Sequence, residues 1–163
     1  MKAVLRGAGL GFVAGAAWGI LARTWMRLIT TEPEFTWGGT LAIIGFAALL
    51  GVGVGVAHAG RSRWWRLAVV PGLILFLSPG MLLLPAFALG GLAWSGRDRA
   101  LQVVGALALV GSLGLAIWTE GHADAVLVVG FAALAVSLAW AGSLVWRQQS
   151  RAARSAPMVV SSP

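Results

Sequence analysis

The chain has no cysteine and no tyrosine, one lysine, five acids, and only 10% charged residues in a length of 163. The missing cysteine excludes disulfides, thiolate nucleophiles, iron–sulfur clusters and cysteine-based zinc sites. The lone lysine is Lys2, so a Schiff-base pigment or a lysine base buried mid-membrane is also excluded. Charge is scarce enough to decide the solvent. Soluble domains carry about 25% charged residues, whereas here 59% of residues are apolar and mean hydropathy is +0.88. The chain belongs in a bilayer, and at about 20 residues per span its length accommodates four or five helical spans.

Enzyme signatures are missing as well. The chain has no His-Glu-x-x-His, no Gly-x-Ser-x-Gly and no Gly-x4-Gly-Lys motif. No Asp or Glu falls inside an apolar stretch, which removes intramembrane aspartyl chemistry and a midplane proton relay. Ser78 has no base beside it in the sequence, and Gly51-Val-Gly-Val-Gly55 lies within an apolar helix rather than a nucleotide-binding loop. No catalytic residue and no cofactor is expected.

What is present is apolar sequence with sharp punctuation. The stretches are 4–22, 38–59, 67–93, 101–118 and 125–146. Seven of the nine Trp lie at their edges, where amphipathic rings favour the headgroup layer. The rest, 147–163, is rich in Gln, Ser, Ala and Arg, and is expected to be a disordered basic cytoplasmic tail. The net charge of +7 would suggest nucleic acid in a soluble chain. Here the arginines occupy short segments between apolar runs, so they encode topology and nucleic acid is excluded as a partner.

If all five stretches cross, the basic residues divide five against seven and give no orientation. If 67–93 instead dips in and returns, one side holds 10 basic residues and the other keeps only Arg23 and Arg27. The acids divide the opposite way, with Asp98 alone on the basic side. The third stretch has suitable chemistry, because Pro71, Pro79 and Pro85 punctuate it and Ser78-Pro79-Gly80 is turn composition near its middle. Two halves of about ten residues are too short to cross and suit a re-entrant hairpin. The expected fold is an all-α integral membrane protein with four transmembrane helices plus a re-entrant or broken segment, both termini cytoplasmic. Five transmembrane helices are the alternative.

The candidate site residues follow from this layout. Gly7, Gly11, Gly15 and Gly19 form one helical ridge at i, i+4 spacing, where another backbone can approach closely. That ridge is expected to serve as an oligomer contact. It continues into Arg23 and Arg27, which either snorkel and pair with Glu32 and Glu34 or line a site for a small ion or a lipid headgroup. Ser78 and Gly80 join them as pore candidates at the break. Glu120, His122 and Asp124 alternate in a short outer loop, as ligands for a divalent metal or simply as its polar content. His58 falls at the opposite membrane surface from His122, so the two are not expected to share a metal or haem.

The stretch from Ala22 to Thr40, reading Ala-Arg-Thr-Trp-Met-Arg-Leu-Ile-Thr-Thr-Glu-Pro-Glu-Phe-Thr-Trp-Gly-Gly-Thr, resembles a segment of small polytopic membrane proteins of actinobacteria. The resemblance implies a bacterial plasma membrane and carries no activity. The function expected from the residues is a small homo-oligomeric channel or transport protein, cation-preferring because its outer mouth is acidic. The alternative is a non-catalytic accessory or assembly subunit of a larger membrane complex. A lipid-acting enzyme using Arg23, Arg27 and Glu34 ranks third.

Overall fold

A computed structural model of the chain describes residues 1–29, 36–60, 63–77, 79–94, 98–121 and 124–154. Its elements are α1 (Lys2–Ile29), α2 (Trp37–Ala59), 3₁₀ helices at Arg63–Leu77 and Pro79–Leu83, α3 (Leu84–Ala88), a further 3₁₀ helix at Gly90–Trp94, α4 (Arg99–Glu120) and α5 (Ala125–Arg154). Among the described residues there is no strand, and α1, α2, α4 and α5 are each long and apolar enough to cross a bilayer. The chain is a multi-pass all-α membrane protein with four spans.

Helix ends follow local chemistry. Asp98 Oδ1 accepts from the backbone N–H of Ala100 at 3.1 Å and so starts α4. Gly121 ends that helix in the left-handed region, at φ 71°, donating its N–H to the Ile117 carbonyl. Two helices outrun their apolar stretches. α1 has 28 residues, about 42 Å of helix, so Arg23 and Arg27 belong to its last turns rather than to a loop. α5 continues past Trp146 to Arg154, and this corrects the expectation of a disordered tail from residue 147. Arg, Gln and Ala dominate those turns and are strong helix formers. Residues 155–163 lie outside the described residues.

α1 and α2 run antiparallel, with Gly7 against Gly55, Gly11 against Gly51, Gly15 against Ala47 and Gly19 against Ile44. Beyond Gly19, Arg23 Nε donates to Thr40 Oγ1 at 3.1 Å, and Trp25 Nε1 donates to the Val126 carbonyl at 2.9 Å. The end of α1 and the starts of α2 and α5 therefore share one face of the bundle. The amino terminus, the end of α2, the start of α4 and the end of α5 share the other, called here the amino-terminal face.

The broken segment begins and ends on that amino-terminal face. Its first limb starts where Gly60 lies against Trp65 and runs back along α2, Ala68–Val69 passing Gly53 and Gly72 passing Leu50. The second limb returns along α4 and α5, with Phe87 against Gly142, Gly90 against Ala139, Gly91 against Ser143 and Ala93 against Gly105. The segment is re-entrant. Its limbs differ from the expected ten-residue halves, because Arg63–Leu77 is a 3₁₀ helix throughout. At about 2.0 Å per residue, 15 residues reach about 30 Å, where α geometry would give about 22 Å. The tip consequently approaches the start of α2, near the opposite face.

The buried core joins α2 and α5 through this segment. Leu50, Val54, Val69, Phe76, Leu83, Phe87, Phe131 and Leu138 belong to one cluster. α1 and α4 flank it and carry much of the exposed apolar surface, including Leu10, Val13 and Leu21 on α1 and Leu107, Val110 and Trp118 on α4. The rest of the chain leaves that surface uncovered.

Candidate functional site

The four-glycine ridge is the first predicted site to locate. A Cβ added at Gly11 would strike the Gly51 carbonyl, one at Gly15 the Ala47 carbonyl, and one at Gly7 would stand 2.5 Å from the Gly55 carbonyl oxygen. The partner strip Gly51 and Gly55 is reciprocally closed by Gly11 and Gly7. The oligomer contact expected of this ridge is therefore a contact within the chain, because α2 already occupies the groove that glycine opens.

The ridge ends at Arg23, half-buried between α1 and α2, while Arg27 one turn later is exposed. Thr40 orients Arg23: its hydroxyl accepts from Arg23 Nε and donates to the Thr36 carbonyl at 3.1 Å. Two indoles tie this end of α1 to α5. Trp18 Nε1 donates to Ser137 Oγ at 2.9 Å, and Trp25 seats its ring on Gly130 while its centroid lies 6.1 Å from that of Phe131. Gly130 is required there, since a Cβ would collide with the indole.

Between these elements lies a groove of about 370 Å³. Trp18, Ala22 and Met26 of α1 form one wall, Ile43 and Phe46 of α2 another, and Phe76 and Leu83 of the re-entrant tip the third. Every lining side chain is apolar apart from the indole nitrogen of Trp18, which is already bonded to Ser137. Ala42 and Ile74 also line the groove and are exposed, so it opens sideways, and exposed Gly39 continues the opening toward the start of α2. The Phe76 and Phe87 rings, 5.6 Å apart, bridge the two limbs across the break.

The other predicted residues stand apart from this groove or beyond description. Gly80 lies in the Pro79–Leu83 turn at the break. Glu32, Glu34, Ser78 and His122 lie outside the described residues. Glu120 closes α4 and Asp124 is exposed just before α5, and the described residues contain no group of three His, Asp or Glu able to hold a metal. At the amino-terminal face Arg66 buries its Nε with no hydrogen-bond partner among the described residues.

The bundle hydroxyls are turned inward on their own helices. Ser112 donates to Ala108, Ser137 to Leu134 and Ser143 to Trp140, each at 2.7–2.8 Å. This satisfies a polar group that lipid or a dry core would otherwise leave unpaired. The groove, Thr40 and the two indole bonds were not anticipated from sequence. The available signal was the position of Trp18: with Trp140, it is one of two tryptophans away from the span edges, and it heads the i, i+4 row Trp18, Ala22, Met26. No family model, curated protein or solved structure matches the chain.

Proposed function

We propose that the chain is a small homo-oligomeric channel or transport protein of a bacterial plasma membrane, with the re-entrant segment as its working element. One observation carries this reading. A 15-residue 3₁₀ run is far beyond the usual three or four residues, and it descends to a break deep in the bundle before returning to its own face. Irregular backbone at membrane depth persists where protein or a functional cavity satisfies it, and discontinuous helices are the recurrent material of transport sites. The basic split assigns the amino-terminal face to the cytoplasm, with both termini there. The other mouth then carries Arg23 and Arg27 against Glu32, Glu34, Glu120 and Asp124, a net of −2 that favours a cation preference. With the α1 ridge engaged inside the chain, α4 is the surface for a second copy, since nothing lies within 4 Å of a Cβ added at its Gly111 or Gly114.

Ion flux into liposomes containing the purified protein is the test. Salt-gradient reversal potentials give the sign of selectivity, and neutralising Glu120 and Asp124 should weaken a cation preference most at low salt. Silent liposomes at every ion tried would remove the reading. Orientation is tested separately with single cysteines. Those at Ser62 and Ser95 should resist an impermeant thiol reagent in intact cells, whereas one at Thr119 should react. The second reading, an accessory or assembly subunit, draws on the inward-turned serines, none of which is aimed at a lumen. Silent liposomes together with stoichiometric co-purification of another membrane protein would favour it.

A further inference from the structure

We propose that the groove beside the re-entrant tip is a binding site for one glycerophospholipid, with an acyl chain along the groove and the phosphate on Arg23. The inference is independent of the transport reading, because a channel and an accessory subunit are equally able to carry a bound lipid. Its first support is the surrounding phase. The groove opens sideways at Ala42 and Ile74, and the adjoining surface is the lipid-facing apolar surface of the helices. An unfilled groove there would leave Phe46, Phe76 and Leu83 without contact atoms on one side, whereas hydrocarbon restores those contacts with no polar group to desolvate. A volume of about 370 Å³ falls within the usual range for small-molecule sites, which are mostly apolar with a few placed polar groups.

The second support is charge at the correct end. Ala22 and Gly39 line the groove next in sequence to Arg23 and Thr40, so the Arg23–Thr40 pair stands at its rim. Thr40 is itself anchored to Thr36, which fixes the guanidinium in the last turns of α1, where it is placed to take a phosphate by a charge-assisted hydrogen bond. Arg27 adds a second cation one turn further out. The Trp18 wall is fixed by Ser137, so the groove is pre-shaped rather than formed by the lipid.

The test is native mass spectrometry of the full chain released from detergent after a delipidating wash. Wild type is expected to retain one phospholipid per chain. Ala42→Trp, which fills the groove, and Arg23→Gln, which removes the phosphate partner, should each lower the retained fraction about tenfold. Arg99→Gln at the amino-terminal face should leave it unchanged. If Ala42→Trp fails to fold, Ala42→Leu makes the smaller intrusion and should still reduce retention. Adding palmitoyl-oleoyl phosphatidylglycerol back to delipidated wild type should raise its melting temperature, and inorganic phosphate should not. Retention equal in wild type and both groove variants, or equal protection by inorganic phosphate, would overturn the site.

Discussion

The α1–α2 pair and the re-entrant segment both use glycine to bring backbones together, and the outcomes are opposite. On α1 the glycines recur every four residues and meet a matching strip on α2, so two regular helices close with no space between them. In the segment from Arg63 to Trp94 the glycines at 72, 90 and 91 are spaced irregularly and interleaved with three prolines. Each makes a close contact with a neighbouring helix, Gly72 with α2, Gly90 with α4 and α5, and Gly91 with α5. The limbs are thereby held at several points while the tip between them leaves a groove. Periodicity yields a sealed interface; aperiodic close contacts yield a supported but incompletely filled one.

The comparison breaks most severely at the sealed interface. Gly11→Leu or Gly51→Leu drives a side chain into a facing carbonyl, and rigid backbone has nowhere to yield. Each should cost about 3 kcal/mol or more, the upper end for overpacked sites. Gly9→Leu is the matched control, since no atom lies within 4 Å of its added Cβ, and it should stay within about 0.5 kcal/mol of wild type. Unfolding in mixed micelles of rising denaturing-detergent fraction measures all three. Equal stability of Gly9→Leu and Gly11→Leu would show that α2 does not sit on this ridge.

A smaller effect is expected at the return limb. Gly142→Val pushes on the Phe87 carbonyl, but α3 is a single short turn between 3₁₀ segments and has room to move. About 2 kcal/mol is expected. A cysteine at Ala86, which is fully buried on this limb, should also gain reactivity toward a membrane-permeant thiol reagent as the limb loosens. Unaltered reactivity would separate the limb from α5.

How much of this was legible depended on whether the signal was local. The four spans and the interruption of the third stretch come from composition and proline chemistry, readable residue by residue. The glycine ridge was equally visible, but a strip of small residues does not say whose backbone it admits. The answer lay in Gly51 and Gly55, two more glycines in register with the ridge. The 3₁₀ geometry of the first limb was hidden, because residues 67–77 carry no polar side chain that would mark a repeat and Pro71 disturbs any helical pattern. The groove was illegible for a different reason. Its walls come from three separated segments, and Arg23 and Thr40 become neighbours only when α1 and α2 pair.

The Trp25 seat sharpens the comparison from the side of α5. Gly130→Val removes the floor on which the indole lies, and with it the bond to Val126 and the tilted contact with Phe131. The expected cost is about 1.5 kcal/mol, the sum of a modest membrane hydrogen bond and an aromatic pair. Gly130→Val combined with Trp25→Ala should cost less than the two added together, because the clash disappears with the ring. Strict additivity in the same detergent titration would mean that Trp25 does not rest on Gly130.

The smallest effect belongs to the Trp18–Ser137 bond, and its two partners should not be equivalent. Hydrogen bonds between membrane helices average about 0.6 kcal/mol. Trp18→Phe leaves Ser137 with its own proton still donated to the Leu134 carbonyl, so only an acceptor lone pair goes empty. Ser137→Ala instead strands the indole N–H in an apolar wall, and an unpaired donor costs more than an unused lone pair. The serine variant should therefore be the less stable of the two, even though Trp18→Phe deletes more atoms. A lipid chain in the groove would widen that gap, because hydrocarbon can follow the smaller phenyl ring but cannot accept from the indole. Measured with and without added phosphatidylglycerol, the difference between the variants should grow with lipid. A larger cost for Trp18→Phe under both conditions would mean that the ring's bulk, and not its hydrogen bond, holds α1 against α5.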